Sequence, residues 1–115
     1  MNKNKEIGNF AEKLALEYLQ SKGLELITQN FNSRFGEIDL IMSDFDSTLV
    51  FVEVRHRKNI DDAIESITLN KQRKLIKAAE YYLIKLGFDK NCRFDAVVID
   101  NKNNIEWLKN VISVS

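Results

Sequence analysis

Two neighbouring segments of the chain have the composition of core β-strands but carry carboxylates. Residues 36–41 read Gly-Glu-Ile-Asp-Leu-Ile, and residues 49–55 read Leu-Val-Phe-Val-Glu-Val-Arg. Their branched and aromatic residues predict a strand for each segment. A carboxylate inside a sheet is costly unless it is paired or binds a metal ion. The two segments therefore predict paired core strands, and their acidic residues indicate ion pairs or a metal site.

Alternation along these strands brings acidic and basic side chains together. Glu53 and Arg55 are two residues apart and share one face of the second segment. If the two segments pair through the short connection between them, Asp39 lies near Glu53. Two carboxylates and a cation in one small volume suit divalent-metal phosphodiester chemistry, because Mg²⁺ prefers oxygen ligands and acts with substrate phosphate. A set of ion pairs at the edge of a sheet is the alternative.

The charge is unevenly distributed along the chain, although the net charge of its 115 residues is zero. Residues 1–53 contain 5 basic and 9 acidic residues, whereas residues 54–93 contain 10 basic and 5 acidic residues. A basic segment that follows a carboxylate pair suits the binding of an anionic polymer. Lysines that contact only solvent would give the same pattern, so that alternative stays open.

Length and composition limit the class of protein. We expect a single domain over residues 1–115, which are enough for one hydrophobic core. The apolar runs are too short to span a membrane, and the polar N-terminus has no signal-peptide core. Cys92 is the one cysteine, which excludes an internal disulfide and fits a reducing cytoplasm. With His56 as the one histidine, a Cys/His metal site is excluded as well.

Periodicity predicts two main helices and five strands. The helices cover residues 5–22 and 71–86, and a few apolar residues between 58 and 70 hint at a shorter one. The strands cover residues 24–31, 36–42, 49–57, 94–100 and 105–108. Short connections favour antiparallel pairing of the first three strands, and the helical excursion permits a parallel pair after them. The predicted fold is α/β, with a mixed five-stranded sheet flanked by helices in the order α-β-β-β-α-β-β.

Taken together, these motifs resemble the bacterial YraN family. The segments that carry the likeness are residues 36–41, residues 50–57, Lys71 with Leu75 and Ala79, and residues 93–95. The likeness extends over nearly the whole chain, from Gly8 and Glu12 to the segment around Trp107. That family is placed with the restriction-endonuclease-like nucleases and is similar to archaeal Holliday-junction resolvases.

The resemblance implies a PD-(D/E)XK site in which Asp39 and Glu53 bind Mg²⁺ or Mn²⁺. Glu12, at the edge of the apolar face of the first helix, would match the helix glutamate of the resolvase-like branch and support the metal. Arg55 would occupy the lysine position of the motif. Because arginine keeps its proton, Arg55 can stabilise charge on a phosphate but is a poor general base. The implied function is a metal-dependent endonuclease acting on DNA, branched or junction DNA included, and the resolvase likeness also suggests a homodimer.

Other residues are candidates for contacts outside the carboxylate site. The candidate phosphate contacts are the basic residues Arg57, Lys58, Lys71, Arg73 and Lys74. Gln72 projects from the apolar face of the long helix, and it either lies near the site or bonds to the backbone at the helix end. Tyr81 and Tyr82 pack on their helix, or one of the two stacks on a base. Asp95 either pairs with a basic group such as Arg93 or contributes to a metal site.

Two further functions stay open at this point. A non-catalytic nucleic-acid-binding domain that retains the nuclease fold is favoured by Arg55 in place of lysine. A protein-interaction module without a nucleic-acid role is favoured by the zero net charge. Salt-dependent binding of DNA would separate the second of these from the nucleic-acid functions.

Overall fold

Helices and strands follow the predicted order in the computed structural model, which describes residues 3–87 and 91–112, with side chains from residue 9 onward. The elements are α1 (Lys3–Ser21), β1 (Glu25–Ser33), β2 (Gly36–Ser43), β3 (Leu49–His56), α2 (Ile60–Glu65), α3 (Leu69–Leu86), β4 (Cys92–Ile99) and β5 (Ile105–Leu108). The short helix α2 confirms the hint between residues 58 and 70. No helix in the described ranges is long and apolar enough to cross a membrane.

The five strands form one mixed sheet in the order β1-β2-β3-β4-β5. The pairs β1–β2, β2–β3 and β4–β5 are antiparallel, whereas β3 and β4 are parallel, with Leu49 opposite Cys92 and His56 opposite Ile99. Helices α2 and α3 form the crossover that a parallel pair requires. The predicted mixed sheet and the predicted pairing directions are both confirmed.

Each face of the sheet is covered by one long helix. On one face, Ala15 and Leu19 of α1 pack with Val50 and Val52 of β3 in what we call the α1-side cluster. On the other face, α3 packs on Phe51 of β3 in the α3-side cluster. The central strand is therefore apolar on both faces until its last residues, where Glu53 and Arg55 replace apolar side chains. The charged end of β3 marks the edge of the core.

The predicted boundaries differ from the observed ones by a few residues at most. Arg57 was predicted to end β3, but the strand ends at His56 and the Arg57 N–H donates to the Ile99 carbonyl at 3.1 Å. Helix α3 begins two residues earlier than predicted because Thr68 caps it, with its hydroxyl accepting the Lys71 N–H at 3.2 Å. Such ends depend on caps and strand partners that periodicity alone does not reveal.

Candidate metal and nucleic-acid site

Asp39 lies at the point where β2 and β3 stop pairing. The ladder between the two strands ends with Leu40 opposite Val52. Beyond that pair, Asp39 Oδ2 accepts a hydrogen bond from the Val54 N–H at 2.8 Å. The carboxylate thus satisfies a backbone donor that the ladder leaves free, and this bond fixes Asp39 at the fork between the strands.

The alternation of β2 is interrupted at Asp39. Leu40 packs in the α1-side cluster, whereas Ile38 packs in the α3-side cluster, although the two are two residues apart. On β1, Asn30 lies between the pairs Gln29–Leu40 and Phe31–Ile38, and it has a left-handed φ of 54°. Asparagine is one of the few residues that tolerate this conformation. The irregular backbone occurs where the side chains of β2 change from one face of the sheet to the other. Asp39 lies at this change, so it can contact groups on both sides of the sheet.

Four carboxyl groups meet at this fork, and we call them the acidic group: Glu12 of α1, Glu37 and Asp39 of β2, and Glu53 of β3. Oxygens of Glu12, Glu37 and Asp39 lie within 4.8 Å of one another. The Asp39 carboxyl also lies close enough to Glu12 and Glu53 for both side chains to affect its pKa. The structure therefore brings two of the three predicted metal ligands, Glu12 and Asp39, into one cluster with Glu37. The third, Glu53, lies near Asp39 but is not part of that cluster.

Burial raises the pKa of every carboxyl in the acidic group, and the charge of Asp39 adds to this effect at the three glutamates. Burial, followed by the charge of Asp39, raises the pKa of Glu12 and of Glu53 to about 7. The same two causes raise the pKa of Glu37. Burial also raises the pKa of Asp39, against the opposing effects of the Val54 N–H and Arg55. The group holds more negative charge than its protein partners neutralise, and a divalent cation would relieve that excess.

Asn30 is a site residue that the sequence did not reveal. With its amide nitrogen facing the carboxylates, Asn30 donates to Glu37 Oε1 at 3.0 Å and to Glu12 Oε2 at 3.1 Å. It therefore links carboxylates from β2 and α1. The available signals were weak: asparagine is uncommon inside a strand, and alternation already placed Glu37 on the same face as Asp39.

Arg55 contacts the acidic group through Glu53. Its Nη2 lies 2.9 Å from Glu53 Oε1, and the two side chains are 18% and 13% exposed. The buried Nε of Arg55 has no hydrogen-bond partner in the part of the chain that the structure describes. Arg55 thus orients Glu53 and keeps unused hydrogen-bonding capacity beside the carboxylates.

The acidic group borders a cavity of about 300 Å³ between the sheet and α3. The cavity is lined by Gly36, Glu37, Asp39, Glu53, Arg55, Lys71, Lys74 and Leu75. Burial and the nearby Arg55 lower the pKa of Lys71. Basic residues in the first turns of α3 oppose the helix dipole, and the first turn holds no acidic residue. Stabilisation of the helix therefore does not explain why Lys71 and Lys74 occupy these positions. Binding of an anionic ligand in the cavity would explain it.

The remaining predicted contacts lie farther from the cavity. Arg57, Lys58 and Arg73 are exposed, and Arg57 Nη1 donates to the His56 carbonyl at 2.7 Å. Arg57 is close enough to Lys71 to help lower the pKa of that lysine. These three residues could contact a long polyanion, but they do not line the carboxylate cavity.

Gln72 is not part of this site. Its Nε2 donates to the Ile67 carbonyl at 3.1 Å, and Gln72 lines a separate cavity with Leu108 and Val111. Of the two alternatives for Gln72 that the sequence left open, the structure shows the hydrogen bond to the backbone at the helix end. The polar side chain satisfies a carbonyl at the start of α3, so we remove it from the candidate nucleic-acid contacts.

Asp95, the other buried acidic residue, has a different environment. Arg93 Nε donates to both of its oxygens at 3.2 Å, Trp107 Nε1 donates to Oδ2 at 3.0 Å, and the Asn110 N–H donates to Oδ1 at 2.8 Å. Arg93 also pairs with Asp44 at 2.8 Å. The predicted pairing with Arg93 is confirmed, and this network ties β4 to β5 and the residues that follow it.

Comparison with known proteins identifies the family. The model of the Uncharacterised protein family UPF0102 matches residues 11–99, which include the whole acidic group. The chain belongs to this family. Membership in the family predicted from the motifs is thereby confirmed.

Relatives share most of their length with this chain. A UPF0102 protein of Psychromonas ingrahamii is 55% identical over 106 residues, covering 90% of this chain and 86% of the relative. A UPF0102 protein of Nitrosospira multiformis is 49% identical over 112 residues, covering 94% and 93%. Among solved structures, a repair endonuclease from Pyrococcus abyssi aligns with 87% of this chain and 39% of its own, at 18% identity and a TM-score of 0.49.

Proposed function

We propose that this protein is a metal-dependent endonuclease that hydrolyses phosphodiester bonds of DNA, with branched or junction DNA among its substrates. One observation carries the proposal: the four carboxyl groups of the acidic group have raised pKa values, and three of them, Glu37, Asp39 and Glu53, line a cavity together with basic residues. Perturbed carboxylates of this kind concentrate at functional sites. An anionic substrate approaches such a carboxylate site only when cations accompany it.

The donor set fits a divalent ion such as Mg²⁺ or Mn²⁺. Glu12, Glu37 and Asp39 present oxygens within 4.8 Å of one another, and Glu53 contacts Asp39. Oxygen ligands of this type suit hard cations, and one or two carboxylates together with substrate phosphate are usually enough for Mg²⁺. We assign Asp39, Glu53 and Glu12 as the ligands, with Glu37 as a further candidate. When bound, the ion supplies neutralisation of charge at the phosphate and activation of a water nucleophile.

The protein's own residues have distinct roles in this proposal. Arg55 orients Glu53 and stabilises negative charge that develops on the phosphate. It is not the general base, because a guanidinium keeps its proton at neutral pH. Lys71 and Lys74, which line the cavity, bind the phosphates next to the cleaved bond. Arg57, Lys58 and Arg73 extend this contact along the nucleic acid.

The test is a cleavage assay with purified protein on linear, flapped and four-way-junction DNA in Mg²⁺ or Mn²⁺. Asp39→Asn and Glu53→Gln keep the size of each side chain and should remove cleavage. Glu17→Gln is the matched control, since Glu17 is an exposed carboxylate on α1 one turn beyond Glu12. Cleavage that continues in both site variants would come from a contaminant and would sink the proposal.

A second candidate function is a nucleic-acid-binding domain of the same fold without turnover. Arg55 in the position where the nuclease motif has lysine favours this alternative. It predicts DNA binding that is lost in Lys71→Ala and Lys74→Ala but kept in Asp39→Asn, with no cleavage in any metal. The cleavage assay and a binding assay on the same variants separate the two functions.

A further inference from the structure

A group of aromatic side chains lies beside the carboxylate cavity, and we call Phe31, Phe35 and Tyr81 the aromatic group. Phe31 and Phe35 belong to the β1–β2 hairpin, and their ring centroids lie 6.3 and 6.0 Å from that of Tyr81 on α3. Phe31 is also held edge-on by the buried Tyr82, with centroids 5.1 Å apart. Phe31 therefore ties the group to the core, and Phe35 and Tyr81 are its outer members.

The side chains of Phe35 and Tyr81 are only partly buried. Tyr81 is 40% exposed, and Phe35 is half-buried. The exposed Arg34 places its guanidinium 4.9 Å from the centre of the Phe35 ring. The Phe35 ring therefore already has a planar cationic group as its partner at the surface, and Arg34 is exposed, so a flat ligand from solvent can compete with it or stack beside it. Core packing does not require two aromatic rings and an arginine at this exposed position.

The aromatic group is continuous with the carboxylate cavity. Gly36 follows Phe35 directly and lines the cavity, and a Cβ placed on Gly36 would lie 3.4 Å from Lys74 Cβ. Its φ of +150° also disfavours a side chain there, so the hairpin can stay close to α3. On α3, Lys74 and Tyr81 are seven residues apart, which is two turns on the same face and about 10 Å. A cation that lines the cavity and an aromatic ring are therefore aligned along one helix.

We propose that Phe35 and Tyr81, together with Arg34, bind an unpaired nucleobase of the strand whose phosphate occupies the carboxylate cavity. The inference rests on the proposed function and names its substrate class. Aromatic rings bind bases by stacking on their faces, without regard to sequence, and arginine adds a cation–π contact. In a continuous duplex both faces of a base are covered by neighbouring bases. The aromatic group therefore selects DNA that is single-stranded or unpaired next to the cleavage site.

The test is the binding of a short single-stranded oligonucleotide that contains 2-aminopurine, with Ca²⁺ in place of Mg²⁺ so that cleavage does not interfere. We expect 2-aminopurine fluorescence to be quenched by the wild-type protein through stacking. Tyr81→Leu and Phe35→Leu keep an apolar side chain for packing but should raise the Kd about tenfold and remove the quenching. Binding of a fully paired duplex of the same length should change far less.

Phe45→Leu is the matched control for these variants. Phe45 is 92% exposed and lies beyond the opposite end of β2 from the acidic group, so its replacement should change neither affinity nor quenching. If Tyr81→Leu and Phe35→Leu bind and quench like the wild type, the stacking site is wrong, although cleavage can still be correct. If the wild-type protein binds neither single-stranded nor duplex DNA, the proposed function itself fails.

Discussion

The acidic group and Asp95 show two ways in which one small domain buries carboxylates. Asp95 is completely buried, and four hydrogen bonds from Arg93, Trp107 and Asn110 satisfy its two oxygens. Asp39 receives one backbone hydrogen bond, from Val54, and its other contacts include the carboxyl groups of two glutamates. Both residues lie on strands of the same sheet, Asp95 fully buried and Asp39 half-buried, and they differ in their hydrogen-bond partners.

The difference lies in the donors that surround each carboxylate. A buried carboxylate with enough donors is a structural element, because its partners replace the water that it loses. Carboxylates that face each other repel, and their pKa values rise until a proton or a metal ion compensates the charge. Both oxygens of Asp95 have hydrogen-bond donors within the protein, whereas under the proposed function a cation from solution offsets the charge of the acidic group.

The largest expected effect comes from breaking the network around Asp95. Asp95→Ala leaves Arg93 and the Trp107 indole N–H without their acceptor, and we expect a loss of about 3–5 kcal/mol in the free energy of unfolding. Urea denaturation measures this loss. Glu106→Ala on the adjacent β5 removes an exposed carboxylate and should change stability by less than about 0.5 kcal/mol. Equal, small losses for both variants would show that Asp95 is not structural.

The acidic group should make the stability of the metal-free protein depend on pH. The folded state keeps protons on Glu12 and Glu53 up to a pKa of about 7, whereas the unfolded chain releases them near 4.5. The folded state therefore binds more protons between these values, and stability falls as the pH rises from about 4.5 to 7. We expect a fall on the order of 2 kcal/mol, mostly from Glu53, because Glu12 is more exposed to solvent.

Denaturation at several pH values in the presence of a chelator measures this slope. Glu53→Gln removes one of the two titrating groups, so its stability should vary less with pH over the same window. Saturating Mn²⁺ should also reduce the slope, since a bound cation lowers the pKa of its ligands. A metal-free protein whose stability rises over this window would contradict the raised pKa values.

A smaller effect, on metal affinity, should follow from removing a residue that holds the carboxylates in place while all four carboxylates are kept. Asn30→Gly keeps the left-handed backbone available but removes the amide that bridges Glu12 and Glu37. We expect Mn²⁺ affinity to fall about tenfold, as for other residues that position metal ligands. Asn32→Ser, at an exposed position of the same strand, should leave the affinity unchanged. If Asn30→Gly binds Mn²⁺ like the wild type, Asn30 does not position the ligands.

The sequence predicted the parts of the site that depend on strand alternation and short connections. Asp39 and Glu53 lie on adjacent strands joined by a short turn, so their proximity follows from the pattern of two segments. Glu12 lies on a distant helix. Its position at the edge of the apolar face gave weak support for a role at the site, and the family resemblance was needed to connect it to Asp39 and Glu53. The contact of Glu12 with Asp39 depends on how α1 packs across the sheet, which no local pattern encodes.

The parts that the sequence did not predict depend on register and on backbone irregularity. Asn30 and Glu37 join the site because β1 and β2 pair in one particular register, with the left-handed Asn30 between the pairs Gln29–Leu40 and Phe31–Ile38. Gln72 was placed near the site by helical periodicity, but a carbonyl at the helix start takes its amide. Polar side chains near helix ends have local backbone partners that compete with more distant ones.

The central claim is that the acidic group is a metal site, and Mn²⁺ binding tests it most directly. Isothermal titration of the metal-free wild-type protein should show binding at the acidic group that is lost in Asp39→Asn and strongly weakened in Glu53→Gln. Glu17→Gln should bind like the wild type. Binding that persists unchanged in Asp39→Asn and Glu53→Gln, or its absence in the wild type, would contradict the claim.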